Sequence, residues 1–250
     1  FEGSAPVHPG NLNATPAIVH SATMYVMRLL VEEDLPLNEG LLEPIEIRIP
    51  EGMLNPPYVD DPRWCPAVVG GNVETSQRLV DTLIEALRLA ACSQGTMNNI
   101  TFGTEAFGYY ETIGGGSGAV EGFDGESGVH CHMTNTRITD PEVIEHRYPV
   151  RLHRFGLRRG SGGDGRWRGG DGLIREIEFL DDLEFSLLSQ HRVNAPFGMA
   201  GGGEGTVGRQ VIIRADGSRH DLAGIDGCDV KPGDRLILET PGGGGWGGDE

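Results

Sequence analysis

The sequence predicts an α+β protein, with helices in the first hundred residues and a β-dominated second half. Three observations carry that expectation. Apolar residues recur at helical spacing over 15–30 and 74–92, whereas beyond Arg147 short apolar runs of strand length follow one another. Forty glycines in 250 residues gather in runs between the apolar segments, which marks loops of a folded protein rather than disorder. Composition therefore divides the chain at 146/147, into an α+β part and a glycine-punctuated β-rich part.

In order, Thr15-Pro16 opens a first helix with Thr15 as cap, and Val19, Ala22, Val26 and Leu29 make it apolar on most sides. Glu32, Glu33 and Asp34 oppose the helix dipole and end it. Ile45, Ile47 and Ile49 alternate with Glu46 and Arg48, the pattern of a half-buried strand. Residues 54–71 are irregular, with Trp64 as a packing anchor. A second helix is expected from Glu74 to Cys92, its apolar face formed by Leu79, Val80, Leu83, Ile84 and Leu87. Arg78, Asp81, Glu85 and Arg88 form its polar face, Glu74 serves as a capping acid, and Gly95 stops it.

Strands follow between Asn98 and Ile113. The run at 114–118 is either a structural turn, the preferred reading, or a mobile, anion-contacting loop, because no Lys-Ser/Thr follows to make it a phosphate cradle. Strands are expected at 148–152, 173–179, 183–188, 210–214 and 235–239. Asp216-Gly217 reads as a hairpin turn, and 242–245 as a tight turn under Trp246. The result is an antiparallel sheet, sandwich or partly closed barrel.

The net charge of −17 argues against a general nucleic-acid or anionic-membrane binder. Eight arginines from Arg147 to Arg175, against Asp164 and Asp171, locally reverse that sign. Cys65, Cys92, Cys131 and Cys228 lie far apart without a CxxC pair, so free thiols in a cytoplasmic setting are expected and a zinc cluster is not. No apolar run reaches membrane-span length. The chain opens on Phe in a loop and reads as a fragment.

Chemistry concentrates at 125–147. His130 and His132 stand two apart, so both rings share one face if the segment is extended. Asn135, Thr136 and Arg137 add an amide, a hydroxyl and a forked cation, and Asp140-Pro141-Glu142 begins a helix. The histidines can supply a base and a polariser, oriented by Glu142 or Glu145, or equally bond to backbone. Metal ligation lacks an evident third ligand, so none is assigned. Arg137 is either an anion clamp, with Asn135 and Thr136 as donors, or an internal partner of Glu142 or Glu145. Asn98 and Asn99 can present amides to a substrate, although turn formation is the commoner use. Arg159, Arg166 and Arg168, set among glycines, are read as a partner interface.

The runs GNLNATPA (10–17), GGNVETSQRLVDTL (70–83), SQGTMNNITFG (93–103), YYETIGGGSGA (109–119), HMTNTRITDPEVIEHRYPV (132–150), GSGGDGRWRGGDGLIRE (160–176) and GDRLILETPGGGGWG (233–247) resemble the hydantoinase B/oxoprolinase family, in order and almost end to end. The resemblance covers the C-terminal half of a usual B subunit, or that region of a fused 5-oxoprolinase. It implies ATP-dependent opening of a small cyclic amide such as 5-oxoproline or a hydantoin. A hydantoinase A-type subunit, which holds ATP with Mg2+, phosphorylates the amide oxygen; water then attacks the activated carbon in the B part, and phosphate leaves as the ring opens. On this reading His130, His132 and Glu145 are catalytic, and Asn98, Asn99, Asn135, Thr136 and Arg137 bind substrate or phosphate. Any divalent metal belongs to the upstream half, and the assembly is a cytoplasmic hetero-oligomer. The same scaffold serves ATP-dependent carboxylases of the acetone and acetophenone type, which is the alternative. A non-catalytic docking platform for the A-type partner is the third reading.

Overall fold

The structure, a computed structural model, describes residues 1–248 and divides into two compact units, Phe1–Leu87 and the residues from Arg88 onward. Two α-helices precede every strand and the two antiparallel sheets come later, an α+β fold. All four cysteines are free thiols, and no helix among the described residues is long and apolar enough to cross a membrane.

In the first unit, helix α1 (Pro16–Leu29) packs against helix α2 (Ser76–Ala86). Pro16 pre-sets the first turn of α1, but the Thr15 side chain makes no capping bond. The second helix differs most from expectation. It is entered through a π turn, Gly71–Thr75, and it closes at Leu87, because Arg88 adopts a left-handed φ of 54°. Glu74 is fully buried rather than capping, and Asp81, expected on the polar face, is buried on α2 with Arg78 3.9 Å away. Residues 45–49 alternate in burial as a strand would, yet they join no ladder. Trp64 is 78% exposed and anchors nothing.

In the second unit, strands β1 (Asn99–Gly103), β2 (Gly108–Glu111), β5 (Leu183–Leu188) and β8 (Ile225–Val230) form a sheet ordered β2-β1-β5-β8. Strands β3 (Val150–Arg158), β4 (Gly172–Phe179), β6 (Arg209–Ile213), β7 (Arg219–Asp221) and β9 (Arg235–Glu239) form another, ordered β3-β4-β9-β6-β7. Asp216-Gly217 turns β6 into β7, with Gly217 at the positive φ such a turn needs. Alternate residues of both sheets meet in one core, with Phe102, Tyr109, Phe179, Phe185, Leu236 and Leu238 among its members. Helix α3 (Pro141–Arg147) starts where Asp140 accepts from the N–H groups of Glu142 and Val143, a cap that contributes about 1 kcal/mol.

The glycine runs lack regular secondary structure, as expected of loops, but they are tied into the fold. Segments 114–118, 161–172, 198–205 and 241–247 run past one another within the second unit, bonded backbone to backbone, and 114–116, 161–163, 169–172 and 241–245 are buried. Gly163 N–H donates to the Gly243 carbonyl, Gly243 to Gly170, and Gly170 to Ser117, at 2.8, 2.9 and 2.9 Å. The same closing run takes bonds elsewhere, from Gly244 to Cys92 and from Met199 to Gly245. Bonds in several directions need backbones closer than any side chain permits. A Cβ on Gly170 or Gly243 would lie far inside 3.0 Å of the Glu126 or Ser117 carbonyl. The 114–118 run is therefore neither mobile nor anion-contacting. The amides of residues 115–118 are spent on Val129, Pro241, Glu126 and the Ser93 hydroxyl, and Gly114 is buried.

One ion pair interrupts the apolar core. On β4, Arg175 shares the inward phase with Leu173, Ile177 and Phe179, and it is wholly buried. Its Nη2 lies 3.0 Å from Oε2 of Glu111, the last residue of β2, so the pair ties the two sheets together. The guanidinium also stacks 5.2 Å from the Phe155 ring centre.

Candidate functional site

The stretch from Ser127 to Asp140 is irregular but tethered at both ends. Gly115 and Val129 exchange two backbone bonds, and Thr139 N–H donates to Glu111 Oε1 at 2.8 Å. The Tyr109 hydroxyl donates to the Thr139 hydroxyl at 2.8 Å, and burial raises that phenol above its ordinary value. The buried Glu111–Arg175 pair thus holds the far end of the stretch, while the glycine bundle holds the near end.

Between the tethers, His130 and His132 do not share a strand face. His132 has a left-handed φ of 54°, and the chain turns there. This reverses the geometric reason for pairing the rings, since side chains two apart align only on extended backbone. His130 is half-buried. Its Nδ1 is sealed from solvent and makes no hydrogen bond among the described residues. Burial holds the imidazole below its ordinary value, opposed by the Glu111 charge. A ring kept neutral near pH 7 is chemically a base or a hydrogen-bond partner, not a resident cation.

Because folding favours the neutral ring, the stability linked to His130 is fully present above about pH 6.5 and is lost as pH falls through the folded value. Proton NMR of the full protein should show the His130 ring titrating below that of a histidine model peptide. A midpoint at or above the peptide value would contradict this environment.

Asn135, Thr136 and Arg137 are exposed, and among the described residues none of the three side chains is engaged internally. Arg137 makes no ion pair with Glu142 or Glu145, which leaves its fork open to an anion. Glu145 is occupied differently, accepting from the Leu152 backbone N–H at 2.8 Å, where it ties α3 to β3. The carboxylate that acts on His130 is Glu111 instead.

Asn98 and Asn99 are buried, and their amides serve the fold. Asn98 donates to Gln94 and the Ile113 carbonyl and accepts from Arg192. Asn99 donates to the Leu188 carbonyl and accepts from the Tyr110 hydroxyl. Of the three arginines read as an interface, Arg168 lies 3.5 Å from Asp171 and 3.9 Å from Asp164, and Arg166 lies over the Trp167 ring. Arg159 is exposed at the end of β3.

Two groups escaped the sequence reading. Glu111 and Arg175 carried a visible signal, a charge in the inward phase of an alternating strand (Tyr109 and Glu111; Leu173, Arg175 and Ile177). Buried Cys92 and His191 approach to 3.8 Å, with His191 Nδ1 bonded to the Asn194 carbonyl at 2.7 Å. They are ninety-nine residues apart, and no local pattern joins them.

The sequence model of hydantoinase B/oxoprolinase matches residues 1–249. The chain is 52% identical to 5-oxoprolinase 1 of Arabidopsis thaliana over 247 residues, covering 99% of this chain and 19% of that protein. It is 46% identical to 5-oxoprolinase of Dictyostelium discoideum over 247 residues, again 99% of this chain and 19% of that one. The fold is similar to the ATP-dependent caprolactamase of Pseudomonas jessenii, with a TM-score of 0.81 and 25% identity over 98% of this chain and 45% of that one. The chain thus spans less than half the length of each of these relatives. On the match along its whole described length, this chain belongs to the hydantoinase B/oxoprolinase family.

Proposed function

We propose that this chain is the C-terminal portion of the B part of an ATP-dependent cyclic-amide hydrolase, of 5-oxoprolinase or hydantoinase type, and that it hydrolyses a lactam already phosphorylated by an A-type partner. The observation that carries the reading is the chemistry of one tethered stretch. It offers a half-buried imidazole disposed to stay neutral, followed by an exposed amide, hydroxyl and guanidinium that the fold leaves unused. Family membership supplies the reaction class.

An unactivated lactam is a poor electrophile, so phosphorylation at oxygen is what makes water attack feasible. ATP and Mg2+ are assigned to the partner, and in keeping with that the amides of residues 115–118 bond inside the fold. In the proposed sequence His130 takes a proton from water as the water oxygen bonds to the ring carbon. The ring nitrogen leaves as an amine, taking one proton from the imidazolium and the other from the added hydroxyl as that oxygen becomes the carbonyl of the acyl phosphate. The acyl phosphate left behind is split by a second water into carboxylate and phosphate. Arg137 binds the phosphoryl oxygens, and Asn135 and Thr136 donate to the developing oxyanion. His132, on the turn, is assigned as a second polariser.

The test uses the full-length B protein with purified A-type partner, ATP, Mg2+ and 5-oxoproline. His130→Ala is expected to lower kcat about 10²–10⁴-fold, while Arg137→Ala mainly raises KM. A folded His130→Ala protein with undiminished kcat would remove the base from this chain and leave it a docking platform.

A further inference from the structure

The five-stranded sheet has one face in the core and a second that points away from it. By strand register the outward face carries Arg151, Arg154 and Arg158 of β3, Arg235 of β9, Arg209 of β6 and Arg219 of β7. The carboxylates sharing it are Glu176, Glu178, Asp221 and Glu239. Six cations against four anions make this face positive in a chain of net charge −17.

Every one of those carboxylates already has a cation. Glu176 pairs with Arg235 at 2.7 Å, Glu178 with Arg151 at 4.0 Å, Asp221 with Arg219, and Glu239 with Arg158 at 3.1 Å as well as with Arg209. Arg154 is left with no carboxylate within 4.0 Å among the described residues. The Arg209 and Arg219 side chains stay 70% and 60% exposed, and such pairs exchange for a new carboxylate at little cost.

A hollow of about 270 Å³ opens at the centre of the face. Ile174, Val211 and Ile237 form its floor, and Arg154, Arg209 and Arg219 stand at its rim. The combination selects among occupants. A nucleic acid or an anionic membrane meets a chain that is strongly acidic elsewhere and has no use for an aliphatic floor. A protein patch with an aliphatic side chain for the hollow and carboxylates around it satisfies both halves of the surface.

We propose that this outward sheet face, centred on Arg154, is the docking surface for an acidic, aliphatic-tipped patch of the A-type partner; the identity of the partner rests on the function proposed above. The surface is separate from the Arg166–Arg168 run, where Arg168 already faces Asp164 and Asp171.

The experiment measures binding of the full-length B protein to purified A-type partner by titration calorimetry. Wild type is compared with the double variant R154E/R219E and with R63E, a charge reversal at an exposed arginine of the first unit. Circular dichroism melting checks that the variants fold. The proposal expects at least a 30-fold rise in Kd for R154E/R219E, no change for R63E, and wild-type binding that weakens as salt rises, because exposed charges are screened. Equal binding by R154E/R219E and wild type would overturn it. So would a wild type that ignores the partner but self-associates through this face. Turnover separates the two ideas. If the partner binds in an Arg154-dependent way but no cyclic amide is opened, the docking surface stands and the hydrolase reading falls. If turnover is normal and binding is indifferent to the reversals, the reverse holds.

Discussion

Gly243→Ala is expected to destabilise the protein by more than about 3 kcal/mol, beyond the usual range for overpacking. The added methyl would land on the Ser117 carbonyl and the Gly118 amide, and both are backbone atoms bonded to further groups of the fold. A crowded side chain can change rotamer, but a backbone held from several sides cannot. Gly243 also links Gly163 to Gly170, so any shift that accommodates the methyl breaks two bonds whose groups are then stranded in a dry interior. For a domain of this size the loss should lower Tm by roughly 6–12 °C. Gly156→Ala on β3 is the control, because nothing lies within 4 Å of the methyl it would add. That variant should melt within about 2 °C of wild type, as surface substitutions do. Equal melting of the two variants would mean that the run at 241–245 is not closely packed.

The second large effect belongs to the buried ion pair. Glu111→Gln removes the carboxylate paired with Arg175 and leaves a guanidinium with no solvent contact, at an expected cost of about 3–5 kcal/mol. Arg175→Met should cost a similar amount by stranding the carboxylate. The double variant Glu111→Gln/Arg175→Met should cost less than the sum of the singles by about 2 kcal/mol, because with both charges gone no buried charge is left unpaired. Denaturant unfolding of the four proteins gives this coupling directly, and strict additivity would refute it. The pair also holds the candidate site. Glu111 anchors Thr139 and lifts His130, so in Glu111→Gln the His130 ring should titrate lower still. A purely structural pair remote from His130 would leave that titration unmoved.

Much of the fold was legible locally. Alternation placed five of the strands from Val150 onward, and the Asp140-Pro141-Glu142 signature placed α3 with its cap. β7 and β8 escaped because RHD and IDGCDV carry too few apolar residues to alternate; they are strands because β6 and β5 pair with them. The Ile45–Ile49 alternation was real as burial but found no neighbouring strand, and a ladder needs two. The second helix was overrun because its apolar spacing continues past Leu87, whereas the backbone at Arg88 turns left-handed.

The candidate site divides the same way. Residue types and order singled out 125–147 as a candidate, and they left Arg137 as either an anion clamp or an internal partner of Glu142 or Glu145; the structure shows it exposed without that pair. They could not show that Asn98 and Asn99 are consumed by the fold, that Glu145 serves β3, or that Glu111 is the charge that acts on His130.

By itself the sequence determined the α+β order, most of the strands and the family, and it supplied the candidate stretch proposed as the site, since each is written in neighbouring residues or in a pattern of fixed spacing. The tertiary structure decided which charges are buried together, which polar groups remain unspent, and that the glycine runs at 114–116, 161–163, 169–172 and 241–245 are packed interior rather than turns. Those properties depend on atoms brought close from segments tens of residues apart, and a missing side chain leaves no mark in a sequence of what will come to lie against it.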